Sequence, residues 1–309
     1  MSVSRAAPAK EPKAYEPEAE ASWQRKPAWR ESTFGRVALE IRGDRAALLG
    51  LTWIIILIIL ATLGPVLPLK DPEEVNIALA FTPPSMQYPF GTDNLGRDML
   101  TRVILAARVS VLGSIAAVAV GTLVGVPWGL AAGFFGGSVD SVMMRIVDFK
   151  LAIPTILLAL LILAVLGPGA INAIIAIAVT RIPTMARLAR SSTLVEQERD
   201  YVLASRAIGA RNSHLVLRVI MPNTLPPAFV QFTLSLAFAI LLESGLSFLG
   251  LGTRPPTPAW GEMLATGRRY LMDAPWIAIF PGLAITTYIL AVGYVSDGLR
   301  AGIGAKSVR

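Results

Sequence analysis

Few side chains in this sequence are of the types that catalyse reactions or bind metals. The chain has no cysteine and one histidine, His214, which excludes a thiolate site or a site of several histidines. Asp93 and Asp98 lie five residues apart with Arg97 next to the second, which is a weak metal-binding pattern. We expect these carboxylates to cap helices and to pair with arginine, and we predict no metal site. No G-x-x-x-x-G-K-[ST] phosphate loop occurs, so we expect no nucleotide site of the Walker type.

Two charged residues fall within long apolar stretches, where a charge is costly. Glu243 lies in the stretch 224–248, and Arg181 ends the stretch that resumes at residue 170. Either residue could line a water-filled pathway. Glu243 could instead be a hydrogen-bond partner between helices, and Arg181 could extend its guanidinium toward water along its aliphatic stem. The sequence leaves these alternatives open.

The composition is that of a membrane protein with several spans. Hydrophobic residues make up 54% of the 309 residues, charged residues make up 16%, and the mean hydropathy is +0.59. A soluble domain of this length rarely reaches such a hydropathy. The net charge of +7 is typical of basic cytoplasmic loops in a membrane protein, and we expect no nucleic-acid partner.

Apolar stretches predict an all-α fold with six transmembrane helices within residues 46–303. A charge-free stretch such as 46–69 is long enough to cross a hydrocarbon core of about 30 Å. Gly167-Pro168-Gly169 predicts a tight hairpin between two helices, one ending near Leu166 and one starting near Ala170. The predicted spans are 46–69, 109–139, 151–166, a fourth from 170 onward, 224–248 and 274–295.

Two further patterns concern the second span and the chain termini. The second span holds Gly121-x-x-x-Gly125 and Gly129-x-x-x-Gly133, a spacing that lets helix backbones approach closely in lipid.

We assign residues 1–45 to a partly disordered cytoplasmic tail and residues 304–309 to a C-terminal cytoplasmic tail. From Phe34 the apolar positions share one helical face, which predicts a short interfacial helix or an extension of the first span.

One polar stretch, residues 196–223, separates the fourth and fifth spans. Residues before Gly209 suit a helix, and Gly209 can end that helix in the left-handed cap conformation. A second short helix is predicted over 212–220, with Pro222 stopping it. Small side chains at 204, 205, 207 and 210 would leave one side of the first helix smooth enough for another protein to close onto it. From composition alone, a solvated loop is an equal alternative.

This polar stretch resembles the cytoplasmic loop signature of importer-type ABC permeases, which reads Glu-Ala-Ala, three residues, Gly, nine residues, Ile-x-Leu-Pro. The chain matches it at Ala204, Gly209 and Pro222. It departs from it with Leu203 for Glu, Ser205 for Ala, Val219 for Ile and Met221 for Leu. In that family the loop is a coupling helix that docks on the ATPase subunit. The resemblance implies this docking role for Tyr201, Ala204, Ser205, Arg206, Ala207, Gly209, Ala210 and Pro222.

Residues 90–102, FGTDNLGRDMLTR, resemble a loop of the dipeptide, oligopeptide and nickel permease subfamily, FGTD-x-x-GRD followed by AR-x-S. The last part is Ala107-Arg108-Val109-Ser110 in this chain. The blocks LSFLGLG at 246–252 and PPTPAWG at 255–261 resemble the same subfamily. Glu243 also stands where that subfamily usually has Glu. We predict a structural role in an external loop for Asp93, Gly96, Arg97 and Asp98.

The resemblance covers residues 36–303 and implies a permease subunit of an ATP-driven importer with the type I ABC importer transmembrane fold. It implies a paralogous permease subunit as heterodimer partner, two ATPase subunits and an extracytoplasmic solute-binding protein. The implied substrate is a di- or oligopeptide, with nickel as the alternative. The chain would be no enzyme and would bind no cofactor, because ATP and magnesium belong to the ATPase subunits. Its place would be the bacterial or archaeal plasma or inner membrane, as a multi-pass protein in the lipid bilayer.

Two other classes of membrane protein are weaker alternatives. An ion-coupled secondary transporter would need several intramembrane acids and an internal repeat. Glu243 is the one clear acid within the predicted spans, and no repeat is evident. A membrane-embedded enzyme would need paired catalytic polar residues within spans, and the sequence has none that are convincing.

The distribution of positive charge predicts that both termini are cytoplasmic. With this orientation, cytoplasmic segments hold 20 Lys and Arg residues and outer loops hold 6. Positive residues are enriched in cytoplasmic loops of membrane proteins. The stretch 196–223 would then face the cytoplasm, and residues 90–102 would face outward.

A cysteine-labelling experiment tests this orientation in a chain that has no cysteine of its own. Ser85→Cys should react with a membrane-impermeant maleimide added to intact cells, because its loop would face outward. Ser213→Cys should react only after the membrane is permeabilised. The reverse pattern would refute the orientation.

Overall fold

A computed structural model describes residues 43–304 of the chain. The helix predicted from Phe34 and most of both predicted tails lie outside this range. The helices of the described part are α1 (Arg45–Leu63), α2 (Met99–Phe135), α3 (Gly137–Ala152), α4 (Thr155–Leu166), α5 (Ala170–Gln197), α6 (Asp200–Ala207), α7 (Asn212–His214), α8 (Met221–Phe248), α9 (Trp260–Gly267) and α10 (Trp276–Gly304). Short 3₁₀ turns lie at Gly64–Val66, Ile77–Leu79 and Arg268–Tyr270, and a π-helical turn lies at Leu215–Ile220.

The all-α prediction is confirmed. Within residues 43–304 the one β pairing is an isolated bridge between Thr92 and Asp98. Five helices are long and apolar enough to cross a membrane: α1 with its 3₁₀ turn, α2, α5, the continuous helix Asn212–Phe248, and α10. A sixth span is formed if the bent pair α3 and α4 crosses as one unit.

The third span differs from the uniform helix that the sequence predicts. Its two parts, α3 and α4, meet at an angle of 93°. The break has a local cause in Pro154, because a proline disfavours helical backbone at the residue before it. Ile153 accordingly has extended backbone, with φ −89° and ψ 125°. The hairpin that follows is as predicted, since α4 ends at Leu166 and α5 begins at Ala170.

The second helix also begins earlier than its apolar stretch. It starts at Met99 rather than at residue 109, because the Asp98 carboxylate accepts a hydrogen bond from the Thr101 amide and caps the helix. The first two turns therefore carry polar residues into the helix, including Arg102. The predicted turn after the span is present: α2 ends at Phe135, and Gly136 has a φ of 62°.

The closest packing in the bundle is the seam between α2 and α5. Four glycines at four-residue spacing, Gly121, Gly125, Gly129 and Gly133, lie along α2 against α5. A methyl group added at Gly129 would lie 2.1 Å from the Ala186 carbonyl oxygen. The spacing therefore brings the two backbones together as expected for small residues in membrane helices.

The two ends of the bundle have different structures. At the loop end, residues 64–98 pack against residues 249–276, where the Trp276 indole donates to the Thr92 carbonyl at 3.0 Å. At the α6 end, the last turn of α5 returns to α2, since the Gln197 side-chain amide donates to the Gly133 carbonyl at 3.3 Å. Because α2 and α5 each run the full distance, they connect the two ends.

Replacing Gly129 by alanine should destabilise the seam. Even a methyl group must push α5 away from the Ala186 carbonyl, and overpacking of this kind typically costs about 1–3 kcal/mol. We expect a lower midpoint of thermal unfolding for the purified protein in detergent. Gly293→Ala is the matched control, since nothing lies within 4 Å of its added methyl group. An equal midpoint for the two variants would contradict the close approach.

Candidate functional site

The polar stretch between α5 and α8 forms a helix with a well-defined end. α6 stops at a Schellman motif, in which the Ala210 amide donates to the Ser205 carbonyl at 3.1 Å and the Gly209 amide donates to the Arg206 carbonyl at 3.0 Å. Gly209 has a φ of 80°, the left-handed conformation that glycine adopts without steric strain. Its conformation therefore directs the chain from α6 into α7.

One face of α6 is exposed, and we call it the α6 surface. It is opposite Val202, which is fully buried in the core. The exposed residues of this face are Tyr201, Leu203, Ala204, Ala207 and Ile208. Ile208 is 86% exposed and Leu203 is 45% exposed. The α6 surface thus consists of small central residues with larger apolar residues around them.

The composition of this surface was only partly predicted from the sequence. Ala204 and Ala207 lie on it, whereas Ser205 and Ala210 are half-buried. Leu203 and Ile208 were missed as contact residues. The signal that could have found them is apolar side chains at solvent-facing positions of a short helix, which helical geometry places opposite Val202.

A contact between α5 and α6 fixes the orientation of Tyr201. Its phenol donates a hydrogen bond to the Glu196 carboxylate. Burial and this hydrogen bond raise the pKa of Tyr201 to about 12, so the phenol stays protonated and remains a donor at neutral pH. Ser205 in turn donates to the Tyr201 carbonyl at 2.7 Å. Arg206, next in the chain, is exposed and adds positive charge beside the α6 surface.

The prediction that Pro222 stops a separate short helix is wrong. The chain continues from α7 through the π-helical turn into α8 as one helix, Asn212–Phe248. The Met221 amide donates to the Val216 carbonyl, five residues back, and this wider turn gives the proline ring room near the preceding carbonyls.

At the loop end, the predicted loop residues form a buried polar cluster. Asp93 accepts hydrogen bonds from the Leu95 and Arg97 amides and lies 2.7 Å from the Arg97 Nε. Asp98 caps α2 and also accepts from the Thr101 hydroxyl at 2.7 Å. These are the contacts of helix caps and arginine partners. Within the described part of the chain, no group of three or more His, Asp or Glu side chains could hold a metal ion.

Gly96 is required by the backbone of the same loop. It has a φ of 77°, and an added methyl group would lie 1.8 Å from the Asn76 carbonyl oxygen. Its amide donates to the Asp93 carbonyl at 3.0 Å, which closes the turn. The loop therefore accepts only glycine at this position.

The charged group at the centre of the cluster had no predicted role of its own. Arg102 is 2% exposed, lies 3.7 Å from Asp93 and 3.6 Å from Glu262 on α9, and donates to the Pro72 carbonyl at 3.0 Å. It therefore connects α2, the loop that contains Asp93, and α9. Arg102 and Glu262 are 160 residues apart in the chain, so no local sequence pattern could predict that they pair.

Glu243 lies in the interior of the bundle. It is 3% exposed and accepts a hydrogen bond from the Ser247 hydroxyl at 2.8 Å. Ser110 on α2 accepts a hydrogen bond from the Trp260 amide at 3.2 Å. The serine hydroxyls that bond to Glu243 belong to α8 itself, so the interhelical role and the pathway role both stay predictions.

Arg181 lies beside the seam of α2 and α5. Its guanidinium is half-buried, and its one polar partner in residues 43–304 is the Thr180 hydroxyl, at 3.4 Å. Arg181 therefore has no carboxylate partner within the described residues. Its role in a pathway stays a prediction. Nearer the α6 end, two ion pairs join α5 to α3: Arg190 with Asp140 and Arg187 with Asp148.

This geometry defines a class, a polytopic helical membrane protein that presents a short exposed helix at one end and a rigid charged loop at the other. Comparison with known proteins identifies the family. The model of the family described as binding-protein-dependent transport system inner membrane component matches residues 125–307. The chain belongs to this family, and its resemblance to importer-type ABC permeases is confirmed.

Curated relatives match most of the chain. It is 41% identical over 269 residues to the di/tripeptide transport system permease protein DppC of Pseudomonas aeruginosa (strain UCBPP-PA14), covering 85% of this chain and 89% of that protein. It is 36% identical over 306 residues to the dipeptide transport system permease protein DppC of Alkalihalophilus pseudofirmus, covering 99% of both. It is 38% identical over 268 residues to the oligopeptide transport system permease protein OppC of Bacillus subtilis (strain 168), covering 87% and 88%.

Solved structures share the fold. The MetNI methionine ABC transporter in an inward-facing conformation matches with a TM-score of 0.54 and 19% identity, covering 66% of this chain and 97% of that chain. The predicted ABC importer transmembrane fold is thereby confirmed.

Replacing Arg102 by methionine should destabilise the loop end. The change leaves Asp93 and Glu262 without their shared cation, and breaking a buried ion pair by removing one partner typically costs about 3–5 kcal/mol. We expect a lower midpoint of thermal unfolding in detergent, with Asp93→Asn acting in the same direction. Arg269→Met, at an exposed arginine of the same end, should leave the midpoint unchanged. A divalent metal that binds the parent and is lost in Asp93→Asn would contradict the structural role.

Proposed function

We propose that this chain is the permease subunit of an ATP-driven importer of dipeptides and oligopeptides. The observation that carries the proposal is the exposed α6 surface, within a signature of importer permeases, on a chain whose relatives are named as dipeptide and oligopeptide permeases. A soluble solute-binding protein on the outer side would deliver the peptide. The chain supplies half of a pathway, and a paralogous permease subunit supplies the other half.

The α6 surface is suited to docking on an ATPase subunit. Its small centre, Ala204 and Ala207, allows a groove to approach the helix backbone, and the apolar residues Leu203 and Ile208 can be buried on docking. The exposed cations Arg206 and Arg211 at its edge favour a partner with acidic residues. ATP and magnesium are then bound by the two ATPase subunits, and this chain has no enzymatic role.

Movement of the ATPase subunits would reach the pathway through α5 and α2. α6 follows α5 after only two residues, and the Tyr201–Glu196 hydrogen bond holds the two helices together. α5 is packed along α2 at the glycine seam, so a displacement of α6 tilts both helices as one body. The rigid loop end, with Arg102 at its centre, would receive the binding protein on the opposite side.

The orientation in the membrane follows from the same assignment. The α6 end and both termini would lie in the cytoplasm, where ATP is present, and the loop end would face outward. Arg181 and Glu243 then lie between the two ends. Of these, Arg181 is the stronger candidate for contact with substrate, because Glu243 is enclosed by serine hydroxyls.

Two other functions are distinguishable. Nickel import would use the same architecture, because specificity can reside in the binding protein. Ion-driven transport by this chain alone would need no ATPase subunit, and uptake by the purified single chain in vesicles with an ion gradient would favour it.

Substitutions on α6 test the proposal. Ala207→Glu places a charge at the docking centre, and an uncompensated charge buried in an interface costs several kcal/mol, so uptake of a labelled dipeptide should fall at least about tenfold. Gly209→Val strains a position with a φ of 80° and should lower uptake similarly. Co-purification of the ATPase subunits, or ATP hydrolysis stimulated by the loaded binding protein, should fall in parallel.

The control for these variants is Ser191→Glu, at an exposed position of α5 before the docking helix. It should transport like the parent. Because all three positions lie near the surface, chain abundance in the membrane should be equal. Dipeptide uptake equal to that of the parent in Ala207→Glu and Gly209→Val would refute the docking role. If the parent takes up nickel and no dipeptide, and these variants lose nickel uptake, the substrate is nickel.

A further inference from the structure

A cleft at the loop end is lined by charged side chains to which the proposed transport function assigns no role. It lies between the end of α1, the first third of α2 and the segment before α9, and has a volume of about 490 Å³. We call it the α1–α2 cleft. Its lining residues are Gly64, Pro65, Leu67, Leu69, Lys70, Asp71, Pro72, Leu105, Arg108, Val109, Thr257 and Pro258.

Arg108 is the unpaired cation of this cleft. It is exposed on α2, and its side chain has no hydrogen bond, ion pair or ring contact among residues 43–304. Lys70 is different, because its ammonium group donates to the Gln87 carbonyl at 2.9 Å and lies 3.5 Å from the centre of the Tyr88 ring. An external anion is therefore the partner that Arg108 lacks.

The depth of Arg108 can be derived from its neighbours. α1 and its 3₁₀ turn make a span of 22 residues, about 33 Å at 1.5 Å per residue, so Gly64 lies near the edge of the hydrocarbon core. Gly64 is level with Leu105, since a methyl group added there would lie 2.9 Å from the Leu105 Cδ2. Arg108 is three residues further along α2, about 4.5 Å deeper. A guanidinium at this depth reaches the level of lipid phosphates by extending outward.

Asp71 lies at the outer mouth of the same cleft, after the end of α1. Its carboxylate accepts the Glu73 amide at 2.8 Å, and its remaining surface is exposed. Besides Lys70, which is held by Gln87 and Tyr88, the cleft therefore presents a cation, Arg108, and an anion, Asp71. A phosphoethanolamine headgroup has the complementary order, a phosphate nearer the acyl chains and a primary ammonium group further out.

The side of the bundle beside the cleft suits the acyl chains. α1 exposes a row of large apolar residues, among them Leu49, Ile55, Ile59 and Leu63, and buries mainly small ones. Its apolar surface leads directly to the cleft at Pro65 and Leu67. A lipid with its chains along α1 would place its headgroup in the cleft.

We propose that the α1–α2 cleft binds a phosphatidylethanolamine molecule, with Arg108 contacting the phosphate and Asp71 contacting the ammonium group. Arg108 thereby gains a counter-ion at the membrane interface, where lipid phosphates attract basic side chains. The lipid fastens α1 to α2 at the loop end, next to the cluster that contains Arg102. The site requires only membrane insertion and so stands independently of the transported substrate.

Native mass spectrometry tests the site on the chain purified with its accompanying subunits. The protein is reconstituted into vesicles of equal parts phosphatidylethanolamine and phosphatidylglycerol, released in mild detergent, and its retained lipids are counted. The parent should retain more phosphatidylethanolamine than phosphatidylglycerol. Arg108→Gln should lower the retained amount about fivefold, the effect of one basic residue near a lipid surface. Arg108→Lys should keep most of it.

Two further variants sharpen the result. Asp71→Asn keeps an acceptor for the Glu73 amide but loses the charge, so it should bind both lipids equally. Arg254→Gln removes an exposed cation of the loop end outside the cleft and should behave like the parent. Because Arg108 has no internal partner, all variants should elute as folded protein from a sizing column. A parental lipid count in Arg108→Gln, an equal loss in Arg254→Gln, or displacement of the lipid by a dipeptide would overturn the proposal.

Discussion

The structure depends first on the close approach of α2 and α5. Four glycines at four-residue spacing remove the side chains that would separate these helices, so that backbone atoms of α5 occupy the space in which Cβ atoms would otherwise lie. In a bilayer, where apolar burial between helices gains little over contact with lipid, such packing is a main source of helix association. α6 follows α5 after two residues, and Arg102, Arg108 and Arg181 lie on these two helices.

The two ends of the seam use polar interactions in different ways. At the loop end, Arg102 is buried among Asp93, Glu262 and a backbone carbonyl, and this network gives one fixed arrangement of loop, α2 and α9. At the α6 end, a single Tyr201–Glu196 hydrogen bond and the buried Val202 hold a helix whose other face remains exposed. A charged cluster buried at one end and an exposed helix at the other are consistent with a subunit that receives a partner on each side.

Much of the fold follows from local rules that the sequence displays. The hairpin between α4 and α5 was predicted, with helix ends near Leu166 and Ala170, because glycine and proline determine turns locally. The left-handed conformation of Gly209 and the helix cap at Asp98 were predictable for the same reason. Two predictions were wrong, a helix that stops at Pro222 and a uniform third span, and both have local causes. The π-helical turn accommodates Pro222, and Pro154 bends the third span into two helices.

By itself, the sequence determined that this is an all-helical membrane protein and where its turns and caps lie, because hydropathy and backbone preferences act over a few residues. It also indicated the family, through the loop signature that the chain matches at Ala204, Gly209 and Pro222. Only the tertiary structure decided that Arg102 pairs with Glu262, that Ser110 on α2 bonds to Trp260 at the start of α9, and which side chains of α6 are exposed. The physical reason is that pairing and burial depend on residues far apart in the chain, whose proximity is created by helix packing rather than by any local pattern.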